Sequence, residues 1–372
     1  MNYQYNPIIW AKEKYPSAQI NELLKTYLDY ENELNTQIYL NEALIDELIF
    51  QVYQLSGEDK EMILAKEGVP IGSLPLLAEY SKINNQVLPE VDDYIKRLEI
   101  SQVDEKAEEL IKKRTLEMYQ QNYSLEVICK ELRINPISIA GIIKEHLVLP
   151  KNRCQEIIQD LLFDLVRELL EEDQDGIIPL VKISGEDTLQ QLLYHKLAEK
   201  GFGHMQIEQL KQALGNSFEN YLEKYFFRDL ANRLNLFMYL PKTPFIWHLS
   251  SGENQGFEAY ISIYKWNKDK LYRLKSVYIE KRESSLKNRL SDLSVNTKEL
   301  ELKYQEEKEL IQKQLKEIKN FKQKIDEILM TAYDPELDDG VGKNIAPLQA
   351  KGLLKHEVLK KKELKKYLNA DW

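Results

Sequence analysis

Apolar side chains recur at three- and four-residue intervals along most of this 372-residue sequence. That period commits most of the chain to helices. Leu23, Leu24, Tyr27 and Leu28, then Ile38, Leu44, Ile45, Leu48, Ile49 and Val52, predict a helix over 17–55. Ser56-Gly57-Glu58-Asp59 stops it, and a short acidic helix follows. Pro70, Gly72 and Pro75 mark a loop. The polar stretch 81–93 reads as a linker. A charged helix is expected over 104–121 and an apolar one over 154–172. Ile177-Ile178-Pro179-Leu180 then runs into a region that is helical in pattern from Asp187 to Tyr239. Its stripe of Tyr221, Leu222, Tyr225, Phe226 and Leu230 has the spacing of a buried face.

Strict alternation marks a different stretch. Phe245-Ile-Trp-His-Leu-Ser-Ser251 and Phe257-Glu-Ala-Tyr-Ile-Ser-Ile-Tyr-Lys-Trp266 flank a turn from Gly252 to Gly256. They read as a β-hairpin. Leu271, Leu274, Tyr278, Leu286 and Leu290 mark a helical arm after it. Residues 291–296 interrupt this arm, and Thr297 offers a restart. A second arm carries Leu300, Leu302, Leu310, Leu315, Ile318, Phe321, Ile325 and Leu329. The expected fold is mainly α and multi-helical, with one small β-hairpin. An antiparallel, coiled-coil-like helical hairpin stands near the C-terminus. Four segments follow: 1–100, 101–176 with a helix-turn-helix-like unit, 177–244, and 245–372.

Hydrophobic residues are 43% of the chain, enough for two or three packed domains. No apolar run reaches the roughly 18 residues that span a bilayer. Met1 to Trp10 has no basic segment followed by an apolar one, so a signal peptide is not expected. Cys129 and Cys154 sit singly in apolar segments and read as buried, reduced thiols of a cytoplasmic protein. The histidines at 146, 195, 204, 248 and 356 lack the short spacing of a metal pair on one helix, so no metal is expected. Net charge is −10, unevenly spread: 247–372 carries 25 basic against 21 acidic residues, and the rest 26 against 40. This split argues against the whole chain coating nucleic acid and allows DNA contact through the back portion, or docking to a separate basic surface.

Tyr123 to His146 has helix-turn-helix spacing. Ser124 is a helix cap, Leu132 closes the first helix, and Arg133-Ile134-Asn135-Pro136 forms the turn. Ile139, Ile142, Ile143 and Leu147 give the second helix its buried face. A DNA-reading helix exposes polar residues near its start, and here Ser138 and the later Lys144 are the candidates. Packing alone is the other reading of this unit.

Three segments together resemble a known family: 245–251 with its closing Gly256-Phe257, the helical pair that follows, and Tyr333-Asp-Pro-Glu-Leu-Asp-Asp-Gly-Val-Gly-Lys-Asn-Ile-Ala-Pro-Leu-Gln349. Their order is similar to the C-terminal region of the BREX phage-defence adenine-specific DNA methyltransferases (PglX-like) and related type IIG restriction-methylation enzymes. Tyr333, Asp334, Pro335, Asp338, Asp339, Gly340, Asn344 and Pro347 carry the tail pattern. Residues 41–60, with Val52-Tyr53, Leu55-Ser56 and Glu58-Asp59, resemble the helix after the target-recognition domain of such enzymes. The resemblance would allow Lys343 and Asn344 to lie near DNA phosphates.

Such an enzyme needs a glycine-bearing loop for S-adenosylmethionine and an Asn/Asp-Pro-Pro-aromatic motif around the flipped adenine. Neither stands in this sequence. Asn6-Pro7-Ile8-Ile9 and Asn135-Pro136-Ile137-Ser138 lack the second proline and the aromatic ring. Asp334, Glu336 and Asp338 begin like a calcium loop, but the glycine comes one place late and Ile345 replaces the closing Glu. Gly340-Val-Gly342-Lys343-Asn344 lacks the upstream Gly and the Ser/Thr of a phosphate loop. The tail then reads as a turn at Asp338-Asp339-Gly340, packed back by Ile345, Pro347 and Leu348. No catalytic residue is expected on this chain, and S-adenosylmethionine is expected only on a partner catalytic subunit. That subunit, other BREX proteins and DNA are the expected partners, and a membrane is not.

Overall fold

The computed structural model describes residues 6–83, 87–234, 242, 244–295 and 301–369. The protein is mainly helical with a small three-stranded antiparallel sheet. It divides into two compact units. One holds 1–160 with 204–215; the other holds 161–203 with 216–372.

In the first unit, α1 (Pro7–Lys14) leads to the 33-residue α2 (Ile20–Val52). A capping box between Gln19 and Glu22 starts α2. Leu23, Leu24, Leu28, Leu40 and Ala43 bury one face of α2. Along its second half Leu34, Ile38, Ile45, Leu48, Ile49 and Val52 stay exposed. Next come α3 (Gly57–Glu67), α4 (Pro89–Lys96), α5 (Glu105–Gln120), α6 (Leu125–Leu132), α7 (Pro136–Lys144) and α8 (Lys151–Glu172), which carries the chain into the second unit. Helix α4 forms where a linker is expected, its start set by Pro89 at a first-turn position. Tyr80, Tyr119, Ile128, Cys129, Ile139 and Ile142 form the core around α6 and α7.

In the second unit, β1 (Ile177–Pro179) is a strand, not the entry to a helix. It lies at one edge of the sheet, beside β3 (Glu258–Ser262), which pairs in turn with β2 (Ile246–Ser250). An edge is where a sheet tolerates proline, which cannot donate to the ladder. Between β1 and β2 run α9 (Leu189–Glu199), α10 (His204–Leu214, part of the first unit), α11 (Phe218–Lys224) and α12 (Phe226–Arg233). The stripe expected to be core is core: Tyr221, Leu222, Phe226 and Leu230 are buried. Every residue of β2 and β3 is buried too.

After the sheet, α13 (Lys268–Arg273), a π-helical turn at Leu274–Ile279 and α14 (Glu280–Val295) make one continuous arm. The expected break at 291–296 does not occur as far as Val295. Thr297 and its restart lie outside the described residues. The second arm is α15 (Glu301–Leu329). Arg289 pairs with Glu307 at 2.7 Å, Glu283 with Lys322 at 2.9 Å, and Lys275 with Asp326, so the arms run antiparallel. The turn expected at Asp338-Asp339-Gly340 is a 3-10 turn at Leu337–Asp339 with Gly340 at positive φ, and Ile345 and Leu348 are buried behind it. The tail then forms α16 (Gly340–Ala350) and α17 (Lys361–Leu368).

Candidate nucleic-acid interface

The tail pattern is built inward. Tyr333 is buried beneath the end of α15. Its hydroxyl accepts a bond from Trp266 Nε1 at 2.8 Å and donates to the Asn344 carbonyl at 3.1 Å. Burial pushes its phenol well above the ordinary value. The Trp266 ring meets Trp247 of β2 edge-on, with centroids 5.9 Å apart. Two of the three segments that carry the family resemblance are thus one joint, the hairpin at 245–266 locked to the tail at 333–349.

Asn344 is also enclosed. Its Nδ2 donates to the Glu336 carbonyl at 2.5 Å, while its Oδ1 is buried without a hydrogen-bond partner. Lys343 pairs with Asp339 at 2.7 Å and its side chain is 14% exposed. Neither presents a free surface group to a phosphate. Pro335 is buried and Pro347 partly so, whereas Asp334, Asp338 and Gly340 are exposed around the start of α16.

Gln349, the last letter of the pattern, forms a clamp. Its Oε1 accepts from the backbone N–H of Val358 and Leu359 at 2.9 and 2.8 Å, and its Nε2 donates to the Leu359 carbonyl at 2.9 Å. These bonds fix the chain immediately before α17. Gly342 lets α17 lie against α16, because the Tyr367 ring occupies the space a β-carbon at 342 would take. The tail is tied to the sheet as well. Ser250 N–H donates to the Leu353 carbonyl, and Lys355 N–H to that of His248, each at 2.9 Å.

Beneath that edge lies a buried polar cluster. Glu258 accepts from His248 Nε2 at 3.1 Å, from the Ser250 hydroxyl at 2.9 Å and from the Lys355 ammonium at 2.5 Å. Burial drives the Glu258 carboxyl upward, but His248 and Lys355 outweigh it and hold the group below its ordinary value. Burial lowers His248, only partly opposed by Glu258. The arrangement is a neutral imidazole donating to a carboxylate that a lysine neutralises. All its members are spent on one another.

What the tail offers outward is lysine. Between 351 and 369 stand seven lysines and two glutamates. Lys351 pairs with Glu327 and Lys355 with Glu258. Lys360, Lys361, Lys362, Lys365 and Lys366 are exposed, and none joins an ion pair among the described residues. A lysine run such as this is most often a solvated face. Its fixed mounting on Gln349 and Gly342 is the signal that sequence reasoning lacked.

The helix-turn-helix-like unit packs inward, as its second reading allowed. Arg133 takes the left-handed conformation between α6 and α7, and Asn135 caps α7. Six of the nine α7 residues are buried, where a groove-reading helix must expose its first turns. Ser138 is 0% exposed. Its hydroxyl accepts from Leu77 N–H at 2.9 Å and donates to the Tyr80 carbonyl at 2.8 Å, which corrects its assignment as a base contact. Lys144 is exposed but pairs with Glu33 at 2.6 Å.

The two Asn-Pro pairs are not built as a site for a flipped adenine. Both Asn-Pro pairs are helix starts: Asn6 and Asn135 cap α1 and α7, with proline following at the first helical position. Asn135 Nδ2 is further spent on the carbonyls of Gly72 and Leu74, at 2.9 and 3.0 Å. Of the two glycines of the tail segment, Gly342 faces the Tyr367 ring, whereas open space surrounds Gly340. Among the described residues, no group of three or more His, Cys, Asp or Glu is placed to hold a metal ion. No helix among them is long and apolar enough to cross a membrane.

No family model matches the sequence. Over 141 residues, 37% of the chain, it is 26% identical to the adenine-specific methyltransferase PglX of Lacticaseibacillus casei (strain Zhang). The match spans 12% of that protein's length. Such a likeness supports a distant relationship to that family.

Proposed function

We propose that this chain is a non-catalytic, C-terminal-type body of a PglX-like adenine methylation system. In this reading it serves phage defence in the cytoplasm by docking to a catalytic subunit and to DNA. The observation that carries the reading is the joint itself. Trp266, Tyr333, Asn344 and Gln349 come from the segments that resemble the family, and each is spent on internal bonds. Internal bonding of this kind supports a structural body, and the distant likeness to PglX supports linking that body to an adenine methylation system. S-adenosylmethionine belongs, in this reading, to the partner.

The exposed stripe Ile38, Ile45, Leu48 and Val52 on α2 favours a second reading, a helical interaction scaffold with no part in DNA modification. One experiment separates the two. The chain is mixed with a PglX-type catalytic fragment that ends before the hairpin segment, and transfer of labelled methyl groups to adenine in duplex DNA is followed. Co-purification with restored transfer is the expected result. Failure of both rejects the methyltransferase reading, and co-purification without transfer favours the scaffold.

A further inference from the structure

The lysines of α17 form one face. At 100° per residue, Lys361, Lys362, Lys365 and Lys366 fall within about 140° of the helix circumference and about 7.5 Å of its length. Leu364 and Tyr367 lie on the other side and are half-buried. Glu363 is turned away from the lysines and caps the helix, accepting from the Lys360 N–H at 2.8 Å. Four ammonium groups therefore stand together with no ion-pair partner among the described residues, on a chain whose net charge is −10.

We propose that this face binds the phosphate backbone of duplex DNA. The inference rests on the DNA-directed reading above and assigns its contact to residues other than Lys343 and Asn344. A flexible basic tail needs no mounting, yet α17 is held by the Gln349 clamp and by the fit of Tyr367 on Gly342. Each strand of a duplex offers a phosphate about every 3.4 Å of rise, so the lysine face spans two or three of them. A membrane surface is the poorer match, because Leu364 and Tyr367 are half-buried and Leu368 alone is an exposed apolar residue of α17, too little to insert. The acidic remainder of the chain opposes a polyanion only within a Debye length of about 10 Å at 0.1 M salt, so the attraction is local. Such contacts fix position and carry no base readout.

The test is fluorescence anisotropy of a labelled duplex of ~20 base pairs, from about 50 to 200 mM salt. The full chain is compared with the variant K361Q/K362Q/K365Q/K366Q, and both are checked for equal thermal melting. The full chain should bind with a slope of log K against log salt of about −2 to −3, near 0.9 per phosphate contacted. The variant should lose most of that slope and at least tenfold in affinity at the lowest salt. Unchanged binding by the variant overturns the proposal. So does absence of wild-type binding at the lowest salt, or binding to phosphatidylserine vesicles in preference to the duplex. A chain that restores methyl transfer but binds no duplex loses this assignment alone. Salt-dependent binding through α17 without restored transfer leaves the assignment standing and removes the accessory-subunit reading.

Discussion

A β-carbon on Gly342 would lie 2.5 Å from Cζ of the Tyr367 ring. Gly342 sits in the first turn of α16, where alanine would ordinarily stabilise a helix by up to about 1 kcal/mol. The ring reverses that sign, since overpacking costs about 1–3 kcal/mol. Gly342→Ala should therefore destabilise the wild-type chain and stabilise a Tyr367→Ala chain. Urea unfolding of the four proteins of this double-mutant cycle measures it. Additive effects would mean that the contact does not hold α17.

Gln349 makes three bonds to the segment before α17 from one buried amide. Gln349→Leu keeps the volume and orphans two N–H groups and one carbonyl, at about 1–3 kcal/mol for each group that stays dry. The variant should lose at least about 2 kcal/mol of stability. Amide exchange should accelerate from Val358 through Leu368 before it does in β2 and β3. Uniform acceleration across the second unit would contradict the view of this residue as a local clamp.

Ser138 bridges the Leu77 N–H and the Tyr80 carbonyl from inside α7. Ser138→Ala removes both bonds and should cost about 1–3 kcal/mol. It should leave duplex affinity unchanged when measured well below the melting temperature. A variant of full stability with weakened DNA binding would restore Ser138 to the surface role its position in the sequence suggested.

Much of the helical framework is legible because its causes are local. The helix expected over 17–55 spans Ile20–Val52, and the one expected over 104–121 spans Glu105–Gln120. Their apolar periods and caps lie within the segments themselves. Strand β1 is illegible for the opposite reason. Its three residues are too few to alternate, and its partner β3 lies some eighty positions later. Helix α16 contains Gly340, Gly342 and Pro347, each unfavourable to a helix, so local propensity points to a turn. Burial of Ile345 and Leu348 and the bonds of Asn344 and Gln349 override it. The α17 lysines stand plainly in the sequence, but charge alone cannot show that a run is anchored. Ser138 failed as a contact because the exposed side of a short helix cannot be told when apolar residues surround it.

His248 and Glu258 contribute to how the second unit responds to acid, alongside His356 and Asp175, whose values are also lowered. Burial keeps His248 below its ordinary value of 6.5, so at neutral pH it is uncharged and donates to Glu258. As pH falls below 6.5 the unfolded chain takes up that proton first, and stability declines until the native imidazole also titrates. Glu258 is held below its ordinary 4.5, so its contribution is full above that value and is lost as pH drops further. The two losses begin in turn, the first below the ordinary value of His248 and the second below that of Glu258. Urea midpoints measured from pH 7.5 to 3.5, about the range of both ordinary values, should fall in two stages. His248→Gln retains a donor for Glu258 but cannot titrate, and it should flatten the upper stage while leaving the lower. Glu258→Gln leaves Lys355 without its carboxylate; it should lower stability at pH 7 and flatten the lower stage. If His248→Gln leaves the decline between pH 6.5 and 5 as steep as in the wild type, the buried imidazole is not its source.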